Sequence, residues 1–121
     1  MASHNKLGEQ GEKVAAKYLE DNGYSVLEQN WRCRKIEIDI IACNKEFLIF
    51  VEVKTRASAQ WGNPEEAVTD KKIERIIEAA EFYIQNCDID LPVRFDVISV
   101  LANGSAYEIK HFDDAFFAPL T

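Results

Sequence analysis

Two acidic residues and a lysine in neighbouring predicted strands have the types and spacing of a metal-dependent hydrolytic site. The segment IEIDIIA carries Asp39, and FLIFVEVKTR carries Glu52 and Lys54 after an apolar first half. Because side chains alternate along a strand, Glu52 and Lys54 share one face. If the two segments pair as a hairpin, Asp39 reaches the same region, where cross-strand neighbours lie about 4.5–5.5 Å apart. The pattern therefore predicts that both carboxylates and the lysine converge.

Two carboxylates this close favour a bound cation, because they repel each other and are costly to bury. Mg²⁺ binds one or two carboxylates together with water and phosphate oxygens. A neighbouring lysine can orient the water or stabilise charge on a phosphate. This chemistry is typical of phosphodiester hydrolysis. The alternative is that these residues, with Glu37, are solvent-facing or ion-paired charges of a half-exposed sheet.

The elements that must position these residues follow from the spacing of apolar side chains. Helical spacing predicts helices over residues 6–22 and 70–86, the first closed by Gly23 and the second capped by Thr69. Strands are predicted over residues 24–29, 36–42 and 47–54, in VRFDVISVL and in AYEIKHF, with a loop at ASAQWGNP. The order α-β-β-β-α-β-β predicts an α/β fold with a central mixed sheet flanked by helices.

Within the strand predicted over residues 36–42, the side chains alternate between apolar and acidic. Ile36, Ile38 and Ile40 are therefore expected on one face of the sheet, with Glu37 and Asp39 on the other.

Length and composition predict one globular domain over residues 1–121. The chain is 47% apolar and 29% charged, which is typical of a folded rather than a disordered protein. Its longest strongly apolar run, residues 47–51, is far short of the ~20 residues of a membrane helix. The first residues lack the apolar stretch of a signal peptide. We therefore expect a cytoplasmic protein with no membrane partner, and the three separated cysteines predict free thiols.

The net charge of −7 argues against a globally basic surface for nucleic acid. The distribution is uneven, however, because residues 31–75 hold nine of the 14 basic residues and eight of the 21 acidic ones. The acidity is therefore concentrated toward the two ends, and a locally positive face is compatible with the central segment.

The spacing of Asp39, twelve further residues and EVK resembles the PD-(D/E)XK signature of nucleases with a restriction-endonuclease-like fold. The segments GEKVAAKYLEDNGYSVLEQNWRCRKIEIDIIA, LIFVEVKTR and GNPEEAVTDKK are also similar to the YraN family of predicted bacterial endonucleases, over residues 7–100. Two positions depart from these patterns. Ile36 stands where the family usually has glycine, and Ile38 replaces the proline of the PD element.

This resemblance implies a restriction-endonuclease-like fold and nuclease chemistry that depends on Mg²⁺ or Mn²⁺. Asp39 and Glu52 match the two acids of the motif, and Lys54 matches its lysine. Glu12 matches a helical glutamate that similar nucleases, including Holliday-junction resolvases, use as an auxiliary metal-site acid; the alternative for Glu12 is an exposed helix residue. The predicted catalytic residues are Asp39, Glu52, Lys54 and Glu12, and the predicted metal ligands are Asp39, Glu52, Glu12 and the backbone carbonyl of Val53. A homodimer is compatible with this family, because junction resolvases commonly act as dimers.

Basic residues surround the predicted acidic site and could hold phosphates. NWRCRK lies just before the Asp39 strand, Arg56 extends the face of Glu52, and a basic cluster at 71–75 begins the second helix at its positively polarised end. The predicted nucleic-acid contacts are Arg32, Arg34, Lys35, Arg56 and Lys72. The alternatives are ion pairs or a solvated helix face, and Trp31 is expected to pack in the core rather than stack on a base.

Two functional hypotheses follow. The first is a Mg²⁺- or Mn²⁺-dependent endonuclease that acts on nucleic acid, in particular DNA, and selects structure rather than sequence, because none of these residues encodes base readout. The second is a non-catalytic nucleic-acid-binding or protein-interaction module with a nuclease-like fold. The acidic ends of the chain and Ile36 favour the second hypothesis.

Overall fold

A computed structural model of the chain describes residues 6–57 and 69–116. Its elements, in chain order, are α1 (Lys6–Asp21), β1 (Ser25–Cys33), β2 (Ile36–Cys43), β3 (Leu48–Arg56), α2 (Asp70–Gln85), β4 (Val93–Asn103) and β5 (Ala106–Phe116). This is the predicted order, and the α/β architecture is consistent with a restriction-endonuclease-like fold. Most of the predicted loop at residues 57–64 lies outside the described residues.

The strands form one mixed sheet in the order β1-β2-β3-β4-β5. Strands β1, β2 and β3 pair antiparallel, β3 pairs parallel with β4, and β5 returns antiparallel to β4. The parallel pair requires a crossover, which contains α2. Strand β3 therefore lies in the middle of the sheet with a hydrogen-bonded strand on each side.

The two helices cover opposite faces of this sheet. Helix α1 packs Ala15, Ala16 and Leu19 on a cluster that includes Ile40 and Val51. Helix α2 packs Ile76, Ala79 and Ala80 on a second cluster built around Phe50 and Phe95. In the part of the chain that the structure describes, neither helix is long and apolar enough to cross a membrane.

Local signals set the ends of both helices. Gly23 has φ of 91°, so the chain leaves α1 through the left-handed region that glycine tolerates, as predicted. Thr69 caps α2 as predicted, since its hydroxyl accepts a hydrogen bond of 3.2 Å from the amide of Lys72. Trp31 packs against Tyr83 of α2 with ring centroids 5.1 Å apart, which confirms its predicted core position.

The ends of two strands and one assignment of faces differ from the prediction. Strand β1 runs four residues further than residue 29, to Cys33, and it contains Asn30 with φ of 54°. Strand β5 also runs four residues further than the segment AYEIKHF, to Phe116. The expectation that Ile36, Ile38 and Ile40 share one face was wrong, because Ile36 and Ile38 pack under α2 whereas Ile40 packs under α1. The regular pairing of β2 with β3 ends where Ile40 lies opposite Val51, so the alternation breaks at Asp39.

A buried ionic network joins β4 to β5, away from the acidic residues of β2 and β3. Asp96 is fully buried and accepts hydrogen bonds from Nε and Nη2 of Arg94, at 2.9 and 2.8 Å, and from the amide of Asp114 at 3.0 Å. Nε2 of His111 lies 2.6 Å from the same carboxylate. Burial opposes ionisation of Asp96, but the hydrogen bonds from His111 and Arg94 outweigh it and hold its pKa below the usual range. This network fixes β5 to the sheet.

Candidate active site

Asp39 occupies the point where β2 and β3 separate. Its Oδ2 accepts a hydrogen bond of 2.8 Å from the backbone amide of Val53. The side chain thus supplies the acceptor for an amide just beyond the last paired residues, Ile40 and Val51. This bond ties Asp39 to the residue next to Glu52, and the two predicted acids are brought together as expected.

Glu52 lies in the middle of the sheet and is only 5% exposed. Its Oε2 is 3.4 Å from Nζ of Lys54, which confirms that these two residues share a face. The same Oε2 also contacts Nζ of Lys72, from the first turn of α2. Two ammonium groups from different elements therefore neutralise one buried carboxylate, a geometry that offsets the cost of burying it.

The pKa of the Asp39 carboxyl lies well above its usual value. Burial is the largest cause that raises the pKa of Asp39, and repulsion from Glu52 and Glu12 raises it further. The Val53 amide and Lys72 lower it in part, and the net result is a pKa of about 7. A group in this position gains strongly from a cation that neutralises both acids. Two close oxygen ligands of this kind fit a hard divalent ion such as Mg²⁺, which completes its shell with water.

Glu12 faces the same region from α1. Burial raises its pKa, Asn30 lowers it through a side-chain hydrogen bond, and Glu37 and Glu52 raise it further. With Asn30, Arg32 and Glu37, it lines a polar cavity of about 480 Å³. Within residues 6–57 and 69–116, no three acidic, histidine or cysteine side chains form a metal-binding group. Glu12 is close enough to Glu37 and Glu52 for their charges to raise its pKa. The ligand roles of Asp39, Glu52 and Glu12 stay predictions.

Gly11 explains how Glu12 comes near β3. A Cβ atom at this position would lie closer than 3.0 Å to three side-chain atoms of Thr55, so only glycine lets α1 approach the end of the strand this closely. For Val53, the structure shows that its amide serves Asp39. A ligand role for its carbonyl stays a prediction.

The five residues predicted to contact phosphates lie in different parts of the structure. Lys35 and Lys72 line one cavity of about 390 Å³ with Lys71 and Arg75, which we call the basic cavity. Its remaining lining residues are Ile36, Glu37, Thr69 and Ile76.

Three arginines lie outside the basic cavity. Arg32 pairs with Glu37 at 3.4 Å beside the polar cavity. Arg34 instead reaches Glu78 of α2 at 3.7 Å. Nη1 of Arg56 is 3.5 Å from the carbonyl of Thr55, and its buried Nε has no hydrogen-bond partner among the described residues.

Comparison with known proteins places the chain in a family. The model of the uncharacterised protein family UPF0102 matches residues 11–100. The chain belongs to the UPF0102 family. A UPF0102 protein of Phocaeicola vulgatus is 48% identical over 120 residues, with 99% of each chain covered. The UPF0102 protein FP2501 of Flavobacterium psychrophilum is 44% identical over 117 residues, covering 97% of this chain and 98% of the relative.

Two features of this UPF0102 site were not found from its sequence. The contact between Lys72 and Glu52 joins residues 20 positions apart in different elements, and periodicity within one element cannot reveal it. The position of Asn30 in the site was not predicted either. It lies in the part of β1 that the residue types do not predict as a strand, and its backbone is left-handed there. Asparagine tolerates this conformation better than most residues, and only that preference could have suggested it.

Proposed function

We propose that this UPF0102 chain is a Mg²⁺- or Mn²⁺-dependent endonuclease that hydrolyses phosphodiester bonds in nucleic acid, in particular DNA, and selects structure rather than sequence. The observation that carries the proposal is the position of the half-buried Asp39 at a break in the sheet, where it is repelled by the buried Glu52, which shares its face with Lys54. The PD-(D/E)XK spacing of these three residues supports it. We expect the protein to act in the cytoplasm.

Each residue has a definite part in this mechanism. A divalent cation held by Asp39 and Glu52 would activate water and neutralise charge on the phosphate. Lys54 is mostly enclosed, with 18% of its side chain exposed, and it holds its ammonium group beside Glu52. From there it can donate a hydrogen bond that orients the attacking water or stabilises the phosphorane-like charge. Glu12 contributes negative charge beside the two ligands.

The basic cavity and Arg56 would bind the nucleic-acid backbone. Lys35, Lys71 and Arg75 lie next to Lys72 at the N-terminal end of α2, where ammonium and guanidinium groups and the helix dipole all favour a phosphate. Contacts of this kind carry no base information. They agree with recognition of a branched or single-stranded shape.

The test is cleavage of branched, flapped and single-stranded DNA by the purified protein in Mn²⁺. We expect the wild-type chain to cut at least one substrate, and Asp39→Ala and Lys54→Ala to cut none detectably. Glu46→Ala and Lys45→Ala are matched controls, because both residues are exposed on the turn between β2 and β3. Equal cutting by the wild type and by the two site variants would show that the activity does not come from this site.

The second candidate is a nucleic-acid-binding or interaction module that does not cleave. The observation that favours it is the double pairing of Glu52 with Lys54 and Lys72, because the buried carboxylate is already neutralised by the chain itself. Calorimetric titration with Mn²⁺ distinguishes the two functions. Binding that Glu52→Gln abolishes favours the nuclease, and no binding at millimolar Mn²⁺ favours the module.

A further inference from the structure

Lys72 lies between the buried acids and the basic cavity. Its ammonium group contacts Oε2 of Glu52, yet the residue also lines the basic cavity with Lys35, Lys71 and Arg75. Its side chain is 42% exposed, whereas that of Lys54, the other partner of Glu52, is 18% exposed. Of the two ammonium groups, Lys72 is therefore the one with free space into which it can move.

A divalent cation on Glu52 would have to compete with this contact. The ion and the two ammonium groups cannot all approach one carboxylate, because like charges a few ångströms apart repel strongly in a poorly solvated site. Lys54 leaves its position less readily, since it is more enclosed and lies on β3 only two residues from Glu52. Release of Lys72 relieves this repulsion with the smallest rearrangement.

The basic cavity can bind an anion, which would pair with the ammonium group of Lys72 after its release. Three other cations line it, and the acidic residue at its edge, Glu37, is paired with Arg32 at 3.4 Å. The first turn of α2 also lines it, where backbone amides and the helix dipole favour anions. An ammonium group released into this cavity without an anion would only add to its repulsion. A phosphate there would reverse that effect.

We propose that Lys72 holds the place of the divalent cation on Glu52 and, when the cation binds, turns into the basic cavity to contact a nucleic-acid phosphate. This inference rests on the proposed metal-dependent function. It makes Lys72 a positioning residue that links metal loading to substrate binding. A metal-free site then keeps its acids neutralised, and the fourth cation of the basic cavity becomes available only after the metal has bound.

The first measurement is calorimetric titration with Mn²⁺ alone, without nucleic acid. Lys72→Met keeps the aliphatic length of the side chain and removes the charge that competes with the ion. We expect it to tighten the Mn²⁺ affinity about tenfold, which corresponds to about 1.4 kcal/mol. Lys71→Met is the matched control, because it removes the same charge from the same turn without a contact to Glu52, and we expect it to change the affinity by less than about twofold.

The second measurement is the salt dependence of binding to a labelled flap DNA, in EDTA and in Ca²⁺. Lys72→Met is expected to lower the salt slope by about 1 in Ca²⁺, because one phosphate contact is lost. In EDTA the slope should stay unchanged, since Lys72 is then held by Glu52. Lys71→Met should have the same effect on the slope in both conditions.

The outcomes separate this inference from the function on which it rests. If the wild type binds Mn²⁺ and cuts DNA while Lys72→Met binds the ion no more tightly, the nuclease stands and the role of Lys72 is wrong. Equal tightening by Lys71→Met, or an equal slope change in EDTA and Ca²⁺, also overturns it. If only Lys72→Met binds Mn²⁺, the result supports competition between Lys72 and the ion. It also overturns the proposal that the wild type binds the metal and then releases Lys72. If neither chain binds, both proposals fail.

Discussion

Replacement of Asp39 by asparagine is expected to stabilise the metal-free protein, and increasingly so as the pH rises. Asp39→Asn removes the charge but keeps an amide oxygen that can accept the 2.8 Å hydrogen bond from Val53. The wild-type carboxyl has a folded-state pKa of about 7, against an ordinary value of 3.8. Between these values the folded chain retains a proton that the unfolded chain has lost. The contribution of Asp39 to the free energy of unfolding is therefore fully present below about pH 4 and is lost as the pH rises through 7.

The size of the effect follows from the same pKa difference. About three units at 1.36 kcal/mol each gives a cost of up to about 4 kcal/mol above pH 7. At pH 5 only about one pKa unit of this cost has accumulated, and about two more accumulate between pH 5 and pH 7. We therefore expect the gain from Asp39→Asn to be about 2–3 kcal/mol larger at pH 8 than at pH 5.

Urea unfolding followed by circular dichroism at pH 5 and pH 8, with EDTA throughout, measures this difference. Asp88→Asn, at an exposed position after α2, controls for the loss of one negative charge. In a separate series without EDTA, Mn²⁺ should stabilise the wild type by about 2.7 kcal/mol at a hundredfold excess over its Kd, and should not stabilise Asp39→Asn. A gain that is absent at pH 8, or equal at the two pH values, would refute the buried and repelled carboxyl on which the site is built.

Three further changes test other parts of the structure. Gly11→Ala should lower the free energy of unfolding by about 1–3 kcal/mol in urea titrations, because its Cβ overlaps Thr55, and added Thr55→Ala should restore part of that loss. Asp96→Asn should destabilise the chain by about 3–5 kcal/mol in the same assay, since it leaves a buried guanidinium without its counter-charge, whereas Asp88→Asn should not. Lys35→Gln should weaken binding of every DNA tested and lower the salt slope by about 1 in fluorescence anisotropy, and no change would remove the basic cavity from the binding surface.

The sequence predicts those features that depend on a few neighbouring residues. Two-residue alternation places Glu52 and Lys54 on one face, and the threonine at the start of an apolar helical repeat identifies the cap of α2. These relations are local, so they need no knowledge of the rest of the fold.

The remaining features depend on how distant elements meet. The same two-residue rule fails at Asp39, because the end of the β2–β3 pairing changes the side to which the neighbouring isoleucines point. The approach of Lys72 to Glu52 depends on where the crossover sets the start of α2 against the sheet. No spacing within one element carries that information.

The parallel pairing of β3 with β4 has a consequence for the order in which the site assembles. Strands β1, β2 and β3 are joined by short turns, whereas β3 meets β4 only after the intervening chain with α2 has closed. Local contacts form faster than those that require closure of a long loop. We therefore expect the carboxylates of Asp39 and Glu52 to meet in an early hairpin, before Lys72 arrives with α2. During that interval the acids are short of one counter-charge, and folding should proceed faster when protons or divalent ions supply it.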